Sequence, residues 1–171
     1  MKSTKPHLKL PRIAICGAAE LRDLKHDAFT HVVSIWAADA PRNVEAQLNG
    51  MFPKAQRHVV FFDDVINETE DPSGPNPEHV RAILHFGRTL TENDTLLVQC
   101  LAGISRSSAA AFSIGYQLMG PWSEQAILDH LIQLRPHILP NLRMVRMADV
   151  ILERGGAMNS TVESYVKKWI C

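Results

Sequence analysis

Charge is the first thing this chain of 171 residues has no excess of: 18 Lys and Arg balance 18 Asp and Glu. A zero balance argues against a nucleic-acid partner bound through a general basic face, while leaving room for a local positive pocket. No apolar run approaches the ~20 residues of a membrane span, so no membrane partner is expected. Residues 1–11 are basic, lack the apolar core of a secretory signal, and read as a flexible N-terminus. Cysteine is scarce. Cys16, Cys100 and Cys171 are too few and too scattered for a disulfide framework, so a reduced, cytoplasmic setting is expected. The histidines form no His-x3-His pair beside carboxylates, and His79 and His85 are spaced awkwardly for one helical face; the reading is surface or capping histidines, with no metal and no cofactor. Repeats, low-complexity tracts and linkers are missing as well. A chain of this length forms one domain, 1–171, with a substantial core.

What is present is patterned. Residues 13–16, 31–36, 58–62 and 95–99 are short apolar runs and read as strands. Residues 18–25, 44–48, 78–90, 107–119, 123–134, 140–151 and 159–170 read as helical, with Ser123 capping one and Gly155-Gly156 closing another. Segment 67–77 holds Pro72, Gly74, Pro75 and Pro77, which no regular element tolerates. Strands alternating with helices predict an α/β fold: a parallel-rich central sheet flanked by helices.

One stretch organises the rest: Cys100-Leu101-Ala102-Gly103-Ile104-Ser105-Arg106-Ser107, between the strand 95–99 and the Ala-rich helix. A tight loop leading into a helix N-terminus turns backbone N–H groups inward over the positive end of a helix dipole, and that arrangement binds an anion. Gly103 lets the backbone approach the bound group closely. The same N–H groups favour the thiolate of Cys100, the nucleophilic form. Arg106 offers a fork of donors matched to two phosphoryl oxygens, and Ser107 can donate to the sulfur as it leaves. The stretch lies at the C-terminal end of a strand, where parallel sheets place their ligands.

Cys-x5-Arg-Ser with this Gly resembles the signature loop of the cysteine-based protein tyrosine phosphatases, and the full run is similar to the dual-specificity branch. The resemblance covers roughly residues 59–150. It implies a phosphatase acting on phosphotyrosine and phosphoserine/threonine esters, in a phosphorylated protein or a small phosphomonoester, through a cysteinyl-phosphate. Residues 101–106 would hold the phosphate. It also implies a general acid some thirty residues before the cysteine. Asp64, 36 residues before Cys100, ends the third strand; Asp71, 29 before, precedes prolines; Asp63 is the third candidate. The strand end favours Asp64. Arg135-Pro136…Pro140-Asn141 is similar to a late element of the same branch, in which the Asn side chain supports the anion loop.

The chain departs from the branch at one position: the residue before the cysteine, usually His, is Gln99. Gln can still brace the loop through hydrogen bonds but carries no charge, so the thiolate should be less favoured. A phosphate-binding pseudophosphatase is therefore the alternative. A rhodanese-like sulfurtransferase or arsenate reductase would share Cys-x5-Arg, but not the Asp loop or the Arg-Pro…Pro-Asn element. The loop residues Leu101, Ala102 and Ile104 are neutral, which disfavours an inositol polyphosphate. Cys16 is either a buried core residue or a resolving thiol for Cys100.

Overall fold

The computed structural model describes residues 10–67 and 71–170. Four strands form one all-parallel sheet: β1 (Arg12–Gly17), β2 (His31–Trp36), β3 (Gln56–Phe61) and β4 (Thr95–Cys100), in the order β1-β4-β2-β3. Strands β4 and β2 are central and almost wholly buried, as expected where helices cover both faces of a parallel sheet.

Alternation along β4 divides the interior in two. Leu96, Val98 and Cys100 face a large core shared with α2 (Pro77–Gly87), α3 (Arg106–Met119), α4 (Glu124–Leu134), α5 (Leu142–Ile151) and α6 (Ala157–Ile170). Leu97 faces a small core under a 3-10 helix (Ala18–Asp23) and α1 (Val44–Met51), with Leu21, Val32, Leu48 and Phe52. Helix α3 threads the large core, buried from Arg106 through Tyr116, and its alanines let it lie close to the sheet. Its N-terminus abuts the C-terminal end of β4, which fixes the site.

Several sequence expectations change in detail. Ser123 precedes α4 without capping it: its hydroxyl donates to Gly120 O instead. The helix expected over 18–25 is a 3-10 helix that ends at Asp23, and a second short 3-10 turn follows at His26–Ala28. The helix expected over 78–90 ends at Gly87. The last helix starts two residues early because buried Asp149 of α5 accepts from the N–H groups of Gly156, Met158 and Asn159, a cap supplied by a neighbouring helix. At the N-terminus, Leu10 packs on the large core and Pro11 is buried; the rest of the segment expected to be flexible lies outside the described residues, as does Cys171.

Candidate active site

The loop after β4 is shaped by what holds its carbonyls. That of Cys100 accepts from Gln99 Nε2 (2.7 Å), that of Leu101 from Ala18 N (3.0 Å) and that of Ala102 from Arg135 Nη2 (3.2 Å). The carbonyl of Ile104 accepts from Leu139 N (3.0 Å) and that of Ser105 from Asn141 N (3.2 Å). A trans peptide points its N–H opposite its C=O, so with these oxygens drawn outward the N–H groups of residues 101–103, 105 and 106 turn inward. Gly103 N–H donates to Cys100 Sγ at 3.3 Å, and the Cys100 thiol donates to Ser107 Oγ at 3.1 Å. Gly103 is obligatory twice over: its φ is +68°, and a Cβ there would lie 2.5 Å from the carbonyl carbon of Cys16.

Behind the sulfur, Gln99 is fully buried. Its Oε1 accepts from Ser34 Oγ, which in turn accepts from Trp36 Nε1 at 2.7 Å. A chain of hydrogen bonds thus runs from Trp36 through Ser34 and Gln99 to the Cys100 carbonyl.

Arg106, only 4% exposed, donates from Nη1 to Phe62 O at 2.7 Å, while its Nε is buried with no partner. A guanidinium N–H hidden from water without an acceptor is costly, and an oxyanion in the loop would supply one.

Of the three candidate carboxylates, one meets the loop. Asp64 Oδ1 accepts from Ser105 Oγ and from Asn141 Nδ2, both at 2.7 Å. Asp63 Oδ1 accepts instead from Ala38 N and ties down the segment after β2. Asp71 Oδ1 accepts from Ser73 N and Oγ; these bonds hold its exposed carboxyl below the usual range in a turn of its own. Asn141 differs from the expectation. Its side chain supports Asp64 and Val65 O and caps α5 through Met144 N, while its backbone N–H, not its side chain, holds the anion loop.

Two residues join the site that sequence reasoning assigned no role. Arg135, at the end of α4, makes a two-armed ion pair with Glu20 (3.0 and 2.9 Å), besides holding Ala102 O and reaching Ile15 O at 3.3 Å. Glu20 also accepts from Gly17 N. The Arg135 hydrogen bonds push the Glu20 carboxyl down, and those from Glu20 push Arg135 up. Nothing local signals this pair, which lies 115 residues apart.

Cys16 packs in the small core, whereas Cys100 lies in the large one, so the sheet separates their side chains. Burial pushes the Cys16 thiol up to about 12. Both features make it a core cysteine and set aside its reading as a resolving thiol.

The comparisons with known proteins meet this geometry. No protein-family model matches the chain. Over 150 residues it is 26% identical to protein phosphatase Slingshot homolog 3 of Mus musculus, a match covering 86% of this chain and 21% of that protein. The chain therefore spans about a fifth of the curated relative it matches. Among solved structures, Tk-PTP in its active form superposes with a TM-score of 0.56 at 16% identity, covering 90% of this chain and 99% of that one. DUSP15 gives 0.55 at 17%, covering 96% and 94%, and human DUSP28 gives 0.56 at 17%, covering 86% and 96%. The chain shares the fold of these phosphatases and is similar in sequence to a Slingshot phosphatase homologue, which supports the resemblance to the cysteine-based protein tyrosine phosphatases. At Gln99, where the pattern the chain resembles usually has His, the amide is taken up by the bracing contacts described above. Among the described residues, no helix is long and apolar enough to cross a membrane.

Proposed function

We propose that the chain is a protein phosphatase that hydrolyses phosphotyrosine and phosphoserine/threonine esters through a cysteinyl-phosphate. The observation that carries this reading is the buried, unpartnered Nε of Arg106 on a loop whose Gly103 N–H donates to Cys100 Sγ. Cys100 thiolate attacks phosphorus in line; the S–P bond forms as the bond to the leaving oxygen breaks. Arg106 and the loop N–H groups hold the equatorial oxygens as charge spreads over them. Asp64 gives its proton to the leaving oxygen. Water then attacks phosphorus, Asp64 takes its proton, and the S–P bond breaks toward a thiolate that Ser107 stabilises.

The rim speaks to the substrate. Ile66, Leu101, Ile104 and Leu139 are exposed apolar side chains on the segments that meet at the loop. They favour a single phosphoryl group on an apolar or aromatic carrier over a polyanion. The alternative reading, a binding pseudophosphatase, draws on Gln99.

Hydrolysis of an aryl phosphate tests both. The wild type turns over and vanadate inhibits it; Cys100→Ser abolishes turnover. Asp64→Asn lowers kcat by about 10²–10⁴-fold at a pH where Asp71→Asn leaves it near wild type. Wild-type inactivity with retained oxyanion binding supports the pseudophosphatase. Full activity of Cys100→Ser rules the mechanism out.

A further inference from the structure

We infer that Arg135 and Glu20 are positioning residues that aim the Ala102–Gly103 peptide at the nucleophile. The inference rests on the reading of the loop as an oxyanion site. Three observations carry it. First, the peptide is held at both ends along one line: Arg135 Nη2 donates to its oxygen at 3.2 Å, and its N–H donates to Cys100 Sγ at 3.3 Å. A planar trans peptide cannot turn one end without the other, so the guanidinium that pins the oxygen also aims the N–H.

Second, the guanidinium is itself oriented. Glu20 takes one oxygen to each Nη, at 3.0 and 2.9 Å, which fixes the plane of the fork in a way a single contact would not. Glu20 is anchored in turn by Gly17 N, and Ile15 O accepts from the other arm of Arg135. The clamp therefore joins the end of β1, the 3-10 helix at Ala18–Asp23, the end of α4 and the anion loop.

Third, its exposure fits orientation better than stability. The Arg135 and Glu20 side chains are 26% and 48% exposed, and ion pairs this wet add little to folding. What they do add is direction, at a peptide whose next residue, Gly103, has no side chain to hold it and sits in the left-handed region.

Alkylation of Cys100, read by mass spectrometry of its peptide, separates this role from simple charge and needs no turnover. Iodoacetate carries a carboxylate that an anion loop attracts; iodoacetamide does not. Both consume the same thiolate, so the ratio of their rates reports how well the loop N–H groups are aimed. In the wild type the ratio exceeds that of free cysteine. Glu20→Gln makes the neighbourhood more positive, so charge alone would raise the ratio; loss of aim lowers it, by about threefold or more. Arg135→Lys keeps the charge without the fork and lowers it likewise. KM for an aryl phosphate rises in both variants, while the urea midpoint stays near wild type. A ratio unchanged or raised in Glu20→Gln overturns the clamp. Should one variant fail to fold, the other decides alone. A wild-type ratio no higher than that of free cysteine would instead sink the oxyanion reading, leaving the two failures distinguishable.

Discussion

Gln99 carries more structure than its position suggests. A neutral amide has a donor end and an acceptor end, and here both are used in a fully buried setting. Its donor end holds the Cys100 carbonyl outward, which helps turn the following N–H inward. Its acceptor end takes Ser34, which receives Trp36. Removing one link strands its neighbours: Ser34→Ala leaves Gln99 Oε1 and Trp36 Nε1 without each other's bridge. We expect a loss of about 1–3 kcal/mol in urea unfolding. A midpoint equal to wild type would show that the relay contributes nothing. At this scale the sequence was legible where chemistry is contiguous. Cys100, Gly103, Arg106 and Ser107 lie within eight residues, and a loop entering a helix has one way to arrange them. It was illegible where the partner comes from another strand. Ser34 meets Gln99 across 65 residues because β2 and β4 are neighbours, and no local pattern announces that.

Among the elements, the start of α5 has the most to hold. Asn141 accepts Met144 N to cap the helix, donates to Asp64, and lends its backbone N–H to Ser105. The cap and the contact to Asp64 use different atoms of one side chain, so substitution can part them. Asn141→Ala loses both; the missing cap costs about 0.5–2 kcal/mol. Asn141→Ser keeps a capping oxygen and loses the donor to Asp64. Activity on an aryl phosphate should fall in both variants, while Asn141→Ser recovers part of the stability in thermal unfolding. If Asn141→Ser were as active as wild type, the contact to Asp64 would be idle. The strands were readable from their apolar runs to within about two residues at either end. Spacing left Asp64 and Asp71 open; the strand end favoured Asp64, and the path of the chain between β3 and α2 is what brings its carboxylate to the loop. The cap of α6 was hidden for a related reason, since Asp149 belongs to the helix before.

Across the whole molecule, burial of titratable groups sets a pH window. His31, His58 and His79 are all held below the usual 6.5 chiefly by burial, so the folded chain refuses protons that the unfolded chain takes up. Stability from these groups is present above that range and is lost as pH falls through it. Cys16 works at the other end. Its thiol is pushed from 9.0 to about 12, so the folded chain keeps a proton that the unfolded chain releases. That contribution is complete below pH 9 and declines toward 12, by up to about 1.4 kcal/mol per pH unit. Tyr116 and Tyr165, also raised by burial, act in the same sense. Urea midpoints should therefore fall on either side of a neutral plateau, and Cys16→Ala should flatten the alkaline limb. An alkaline limb as steep in Cys16→Ala as in wild type would remove Cys16 from the account.

The mooring of Asp64 has one more consequence, for timing. Its carboxylate is fastened on one side to Ser105 of the anion loop and on the other to Asn141 at the start of α5. Many enzymes bring such a group in on a swinging flap, and the swing limits their speed. On the proposed function, a carboxylate tied to the loop it serves needs no such swing, so turnover would be paced by chemistry or by departure of phosphate.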